Sequence, residues 1–205
     1  MRKSIVILLS FLIINQFAAA QENAPKLLNG KIGLTFSSFG ENQVFRFSEY
    51  DGAPAYESDY FRTLGISWIY PVNAWLEFET GIEYAEHHIT INPTLPPDSE
   101  NTSRPAEFAL INVPFSLRAN FLKYFFMNGG LILDVDASTS SSIDNQTGIG
   151  TLLGFAAKYD FSFGLTAFVN PYFKIHSIIP FQDAEHHQRV WENGVRLGLT
   201  YDFGK

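Results

Sequence analysis

From Gly194 to Phe203 the chain alternates: Val195, Leu197, Leu199, Tyr201 and Phe203 are separated by Arg196, Gly198, Thr200 and Asp202. Successive side chains of an extended chain point to opposite sides, so this segment has one apolar face and one small or polar face. The same period of two recurs upstream and predicts eight strands. In the first, residues 31 to 36, Ile32, Leu34 and Phe36 oppose Lys31, Gly33 and Thr35. The second, about 60 to 70, sets Leu64, Ile66, Trp68 and Tyr70 against Thr63, Gly65 and Ser67; the third, 75 to 91, sets Leu76, Phe78, Ile82 and Tyr84 against Glu77, Glu79, Gly81 and Glu83. Strands over 108 to 120, 125 to 136, 149 to 159 and 165 to 176 follow before the last. Pro114 and Pro171 fall inside two of them. A closed sheet has no edge to accommodate a proline, so each predicts a bulge or bend.

The connections alternate in length. Residues 37 to 59, 92 to 106, 137 to 148 and 177 to 188 are long, whereas 71 to 74, 122 to 123 and 160 to 163 are short. The second long connection holds four of the ten prolines, a composition that does not continue a sheet. Tight turns on one side and long loops on the other are the rhythm of an up-and-down barrel crossing a membrane, and an even strand number puts both chain ends on the tight-turn side. The expected fold is therefore all-β, an eight-stranded antiparallel up-and-down transmembrane β-barrel. A soluble periplasmic ligand-binding barrel alternates in the same way with its apolar face inward. Here the polar face is largely Gly33, Gly65, Gly81, Gly130, Gly150, Gly154, Gly194 and Gly198 with Ser and Thr, which suits a narrow interior better than a hydrated surface. Tyr70, Trp75, Tyr124, Phe125, Tyr159, Tyr201 and Phe203 gather near the short turns, and Phe36, Tyr60, Tyr84, Phe108 and Trp191 toward the long connections. These predict two aromatic girdles at membrane interfaces.

Composition sharpens this picture. Charged residues make up 17% of the 205 and aromatics 16%, against roughly 25% charged in an average soluble protein. There is no cysteine, which excludes disulfides, thiolate metal sites and a lipidated N-terminal cysteine. A net charge of −7 leaves no basic footprint for nucleic acid. Arg2 and Lys3, an apolar run from Ile5 to Ile14, and Ala18-Ala19-Ala20 predict a signal peptide over residues 1 to 20, cleaved before Gln21. Residues 21 to 205 then form one barrel domain, destined for the outer membrane because no later stretch is long and apolar enough for a spanning helix.

Four segments carry a family resemblance: Leu76-Glu77-Phe78-Glu79-Thr80-Gly81-Ile82-Glu83-Tyr84, Ile111-Asn112-Val113-Pro114-Phe115, the Gly150 to Tyr159 strand and the closing Leu197 to Lys205. The chain resembles the PorT-like outer-membrane β-barrel family of Gram-negative bacteria of the Bacteroidetes type, over most of its length after residue 20. The resemblance implies an eight-stranded barrel in the outer membrane and mostly uncharacterised activity. Outer-membrane lipid and the outer-membrane assembly machinery are the expected partners. Gly204-Lys205 after Phe203 departs from the terminal aromatic of the wider outer-membrane pattern.

An eight-stranded ring has an interior filled by side chains, so its inward charges must pair. Glu77, Glu79 and Arg118 are expected to form one network, with Lys31, Lys158 and Arg196 set against Glu83, Asp134 and Asp136. A plug is the expected role, a proton or ion path the alternative. The histidines are a second candidate cluster: His87-His88, His176, and His186-His187 beside Asp183 and Glu185, all toward the long loops. An imidazole with a carboxylate can ligate metal or pass protons, but neighbours on a strand face opposite ways, so one of each pair at most serves a given site. No HExxH or GxSxG motif is present, and no cofactor or metal is assigned. The expected function is non-catalytic, either structural or loop-mediated binding. The alternative is an outer-leaflet lipid-modifying enzyme of the lipid A deacylase kind, with His88 or His176, Ser177 and Glu86 as candidates. The first connection, residues 37 to 59, carries Val44, Phe45, Phe47, Tyr50 and Tyr56, and is expected to act as a lid or to meet a protein partner.

Overall fold

A computed structural model of the chain describes residues 30–47, 54–93, 103–138, 142–182 and 186–203. The predicted signal segment, Tyr50, Asp183, Glu185 and the last two residues lie outside these. Eight strands, β1 (Lys31–Phe45), β2 (Ala55–Pro71), β3 (Leu76–Asn92), β4 (Arg104–Phe121), β5 (Phe125–Asp136), β6 (Gly148–Asp160), β7 (Leu165–Pro180) and β8 (Arg189–Asp202), form one closed antiparallel barrel in chain order. Leu34 of β1 lies opposite Ile66 of β2 on one side and Leu199 of β8 on the other, so apolar side chains line up in rows around the ring. These rows face outward: Leu34 is 66% and Ile82 62% exposed, while Thr35, Ser67 and Thr200 are buried inside. A sheet with this polarity needs an apolar solvent outside it. Closing the ring satisfies every ladder position that such a solvent would leave unpaired.

The polarity reverses along β3 and β4. From Leu76 to Tyr84 the outward residues of β3 are apolar except Thr80, and the inward ones are Glu77, Glu79, Gly81 and Glu83. Beyond Tyr84 the outward residues are Glu86, His88 and Thr90, and Ala85, Ile89 and Ile91 are buried inside. β4 does the same in the other direction, with Ala106, Phe108 and Leu110 inside and then Ile111, Phe115 and Leu117 outside. Ala85, Ile89, Ile91, Ala106, Phe108, Leu110, Ile143 and Val190 form a small apolar core at the long-loop end. Nine residues of strand, at about 3.3 Å each and tilted by roughly 40°, rise about 23 Å, the height of a lipid-facing belt. The belt thus ends where the inner core begins.

Three expectations are corrected by this reversal. The first connection is mostly sheet: β1 runs on to Phe45 against β8, Gly40 opposite Gly194 and Phe45 opposite Arg189, and β2 starts at Ala55. In the stretch Ser37 to Gln43, Phe39 is the single large apolar side chain on the exposed face, beside Gly40, Glu41 and Gln43, because this part of the wall stands above the belt. Likewise β4 begins at Arg104 and β7 continues to Pro180. Phe108 belongs to the inner core and not to a girdle. By contrast Tyr70, Trp75, Tyr124, Tyr159, Tyr201 and Phe203 are exposed at the short-turn end, and Tyr60 and Tyr84 at the upper edge of the belt.

The prolines also behave differently from expectation. Register is the same on both sides of Pro114, with Thr80 opposite Phe115 and Glu83 opposite Asn112, and on both sides of Pro171, with Gly154 opposite Tyr172 and Ala157 opposite Val169. Each proline interrupts one ladder, where its missing N–H is not called on, without adding a residue. The register shifts fall at Ser37/Phe39, Ser58/Tyr60 and Ile149/Thr151, the last opposite Ser177, whose φ is 50°.

Two inward glycines set the closeness of the wall. A Cβ on Gly81 would lie 2.2 Å from the Ile66 carbonyl oxygen, and one on Gly130 2.1 Å from that of Phe115. On neighbouring Gly129 the nearest atom would be a Leu153 methyl at 3.4 Å. Gly130→Ala is expected to lower stability by about 3 kcal/mol and Gly129→Ala by less than about 1 kcal/mol, read by denaturant unfolding of the refolded barrel.

Candidate functional site

The lumen is filled in layers. Nearest the short turns, Lys31 pairs with Glu77 at 2.7 Å and Lys158 with Asp160 at 3.2 Å. Above them Phe126 and Phe168 meet edge to face, and Gly198 leaves the room that the Phe168 ring takes up. The Arg118 guanidinium lies 4.4 Å from the Phe126 ring centre and 4.8 Å from that of Phe168. It donates two hydrogen bonds to Glu79, at 2.6 and 2.8 Å, a bidentate pair.

From Glu79 the charges climb with alternating sign. Arg196 reaches Glu79 at 3.2 Å and Glu83 at 3.6 Å; Lys174 reaches Glu83 at 2.7 Å and Glu192 at 3.7 Å. The ladder draws on β3, β4, β7 and β8. Each charge in it meets at least one opposite charge, which is how a narrow low-dielectric interior tolerates charge.

The top layer is built from histidines. His87 of β3, His176 of β7 and Glu192 of β8 are fully buried and present one ligand atom each, all within 4.8 Å of one another. Glu192 Oε2 lies 3.5 Å from His87 Nε2 and 3.5 Å from His176 Nε2. The outer sides of these residues are fixed: His176 Nδ1 lies 3.0 Å from Asp134 Oδ1, His87 Nδ1 lies 3.2 Å from the Asn42 amide, and the Tyr172 hydroxyl donates to Glu192 Oε1. The His87 ring stacks flat on Phe108 at 4.6 Å, which joins this layer to the apolar core above it.

The structure separates the residues suggested for lipid chemistry. His88 and Glu86 are on the outside of the wall: His88 stacks on Tyr60 at 4.1 Å and lies 3.2 Å from Glu107, and Glu86 accepts from Arg62 at 2.8 Å. His176 and Ser177 are inside, where Ser177 Oγ lies 3.4 Å from His187 Nε2. Burial holds the His187 imidazole below its usual pKa. Alternation divides the four candidates between two faces, and they form no common site. The expected pairings change as well. Glu77 bonds to Lys31 rather than to Arg118, Lys158 bonds to Asp160, Asp134 faces His176, and Asp136 accepts from the backbone of Ser138 and Gln146. Rim charges pair with their nearest neighbours because the Phe126 and Phe168 layer separates them from the ladder above. Asn42, Lys174, Tyr172 and Glu192 were missed; only inward parity on a correctly placed strand marks them.

No protein-family profile and no curated protein sequence matches the chain. Among solved structures, Ail, the attachment invasion locus protein of Yersinia pestis, is 12% identical, covering 84% of this chain and 98% of its own, with a TM-score of 0.39. A second structure of Ail holds the heparin analogue sucrose octasulfate. The outer membrane protein OprG from Pseudomonas aeruginosa is 12% identical over 84% of this chain and 96% of its own, with a TM-score of 0.44. With scores this low, the architecture rests on the strand pairing described above.

Removing Glu79 leaves two buried guanidinium groups facing each other. Glu79→Ala is expected to cost about 3 to 5 kcal/mol, whereas Glu86→Ala, which breaks only the outward pair with Arg62, costs about 1 kcal/mol or less. Equilibrium unfolding in detergent micelles or lipid vesicles measures both.

Proposed function

We propose that this protein is a small outer-membrane barrel of the PorT-like kind, exported with residues 1 to 20 as its signal, non-catalytic, and closed to diffusion. The observation that carries the reading is the polarity of the wall: an apolar exterior belt over a lumen of paired charges, and above it, along β3 and β4, an apolar interior under a polar exterior. A soluble ligand-binding barrel keeps its apolar face inside throughout. The belt supports a membrane span, and the filled lumen supports a bracing role rather than passage of solutes.

Contact with a partner falls to the long-loop end. Phe47 is exposed there, with its ring edge-on to Phe45 and the Arg189 guanidinium 4.4 Å from its centre. Residues 39 to 45 extend β1 along β8 and residues 55 to 58 extend β2 along β3, so the proposed binding surface includes the rim of a raised wall.

The mature chain is expected to partition with the outer membrane, to shift on an unheated gel, to give no stable conductance in planar bilayers and to leave outer-membrane lipids unchanged in mass. Extraction by alkaline carbonate would contradict the membrane span. A lipid mass change would contradict the non-catalytic reading.

A further inference from the structure

We propose that His87, His176 and Glu192 bind a divalent transition-metal ion, Zn2+ in this ligand set, inside the barrel. Their three inward atoms, His87 Nε2, His176 Nε2 and Glu192 Oε2, are fully buried and have no hydrogen-bond partner among the described residues. Buried polar atoms are seldom left so, and here three converge on one point.

The spacing fits an ion better than a proton. Ligands at about 2.0 to 2.1 Å from a tetrahedral centre lie roughly 3.4 Å apart. Two of the three ligand separations match this, Glu192 Oε2 being 3.5 Å from each imidazole nitrogen, and the two nitrogens lie within 4.8 Å of each other. A protonated imidazole bound to a carboxylate would draw in to about 2.7 to 2.9 Å.

The surroundings have the form of an outer ligand shell. Asp134 at His176 Nδ1 keeps a proton on that nitrogen and frees Nε2 to ligate. His87 ligates through Nε2 when the Asn42 amide turns its oxygen to Nδ1–H. Ser58 Oγ, 2.6 Å from the other end of that amide, then accepts from its nitrogen, and the same heavy-atom positions serve. Tyr172 and Lys174 hold Glu192 Oε1, which leaves Oε2 for the ion. Two imidazoles and one carboxylate suit Zn2+, with a fourth position for water. His87 stands on β3 and His176 and Glu192 on β7 and β8, so the ion clasps opposite walls of the barrel.

The test refolds the mature chain in detergent micelles with Zn2+ or with Co2+, desalts it, and counts metal per folded chain by mass spectrometry, with the gel shift as the criterion of folding. One Zn2+ per chain is expected, together with the visible bands of a four- or five-coordinate Co2+ form that Zn2+ displaces. His87→Gln and Glu192→Gln are expected to lose the metal. Asp134→Asn is expected to keep the Co2+ bands with about 10- to 100-fold weaker binding, the mark of a positioning residue. The combined variant His88→Gln, His186→Gln, His187→Gln is expected to bind as the parent does. A folded parent without metal, in which a water occupies the same centre, overturns the proposal and leaves the barrel reading intact. Retention of metal by folded Glu192→Gln, or its loss with the three outer histidines, also overturns it. If the lumen variants do not fold, the decision rests on the parent's stoichiometry and Co2+ spectrum.

Discussion

An eight-stranded ring encloses only as much space as its own side chains fill, and that constraint governs the rest of the molecule. Every inward residue must share a narrow space with seven other strands. Small residues are therefore obligatory where backbones approach, as at Gly81 and Gly130, and every charge must meet an opposite one across the lumen. The alternating ladder from Arg118 to Glu192 is the solution this sequence adopts. It joins strands that share no backbone hydrogen bonds, Glu83 of β3 with Lys174 of β7, and so ties the ring across its diameter as the ladders tie it around its circumference.

Much of this was legible in the chain. Strand number, order and the outward face follow from a period of two and from alternating connection lengths. Adjacent-strand contacts such as Arg118 with Glu79 follow from parity and proximity, because β3 and β4 are neighbours with Glu77 opposite Arg118 in register. Cross-lumen contacts do not follow. Glu83 and Lys174 stand 91 positions apart, and only the curvature of the closed sheet brings them together. The choice between His87 and His88 was limited by alternation to one per face, yet which one faces inward depends on a strand phase set several residues earlier.

The strand ends were hidden for a different reason. A sequence pattern tuned to one solvent fails where the solvent changes. Ser37 to Gln43 and Arg104 to Ala106 read as loop because polar residues and a proline interrupt the apolar pattern of the belt, although both are paired with a neighbouring strand. The signal they do carry, buried Ala106, Phe108 and Leu110 on the opposite face, is that of a soluble barrel in opposite phase.

That change of phase has a mechanical consequence. Moving the barrel toward its short-turn side would draw the Arg62–Glu86 pair and His88 into hydrocarbon, and moving it the other way would lift Leu64, Ile82 and Ile111 into water. Both displacements are opposed, so the boundary at Tyr60 and Tyr84 acts as a waterline that holds the rim at a constant height above the lipid surface.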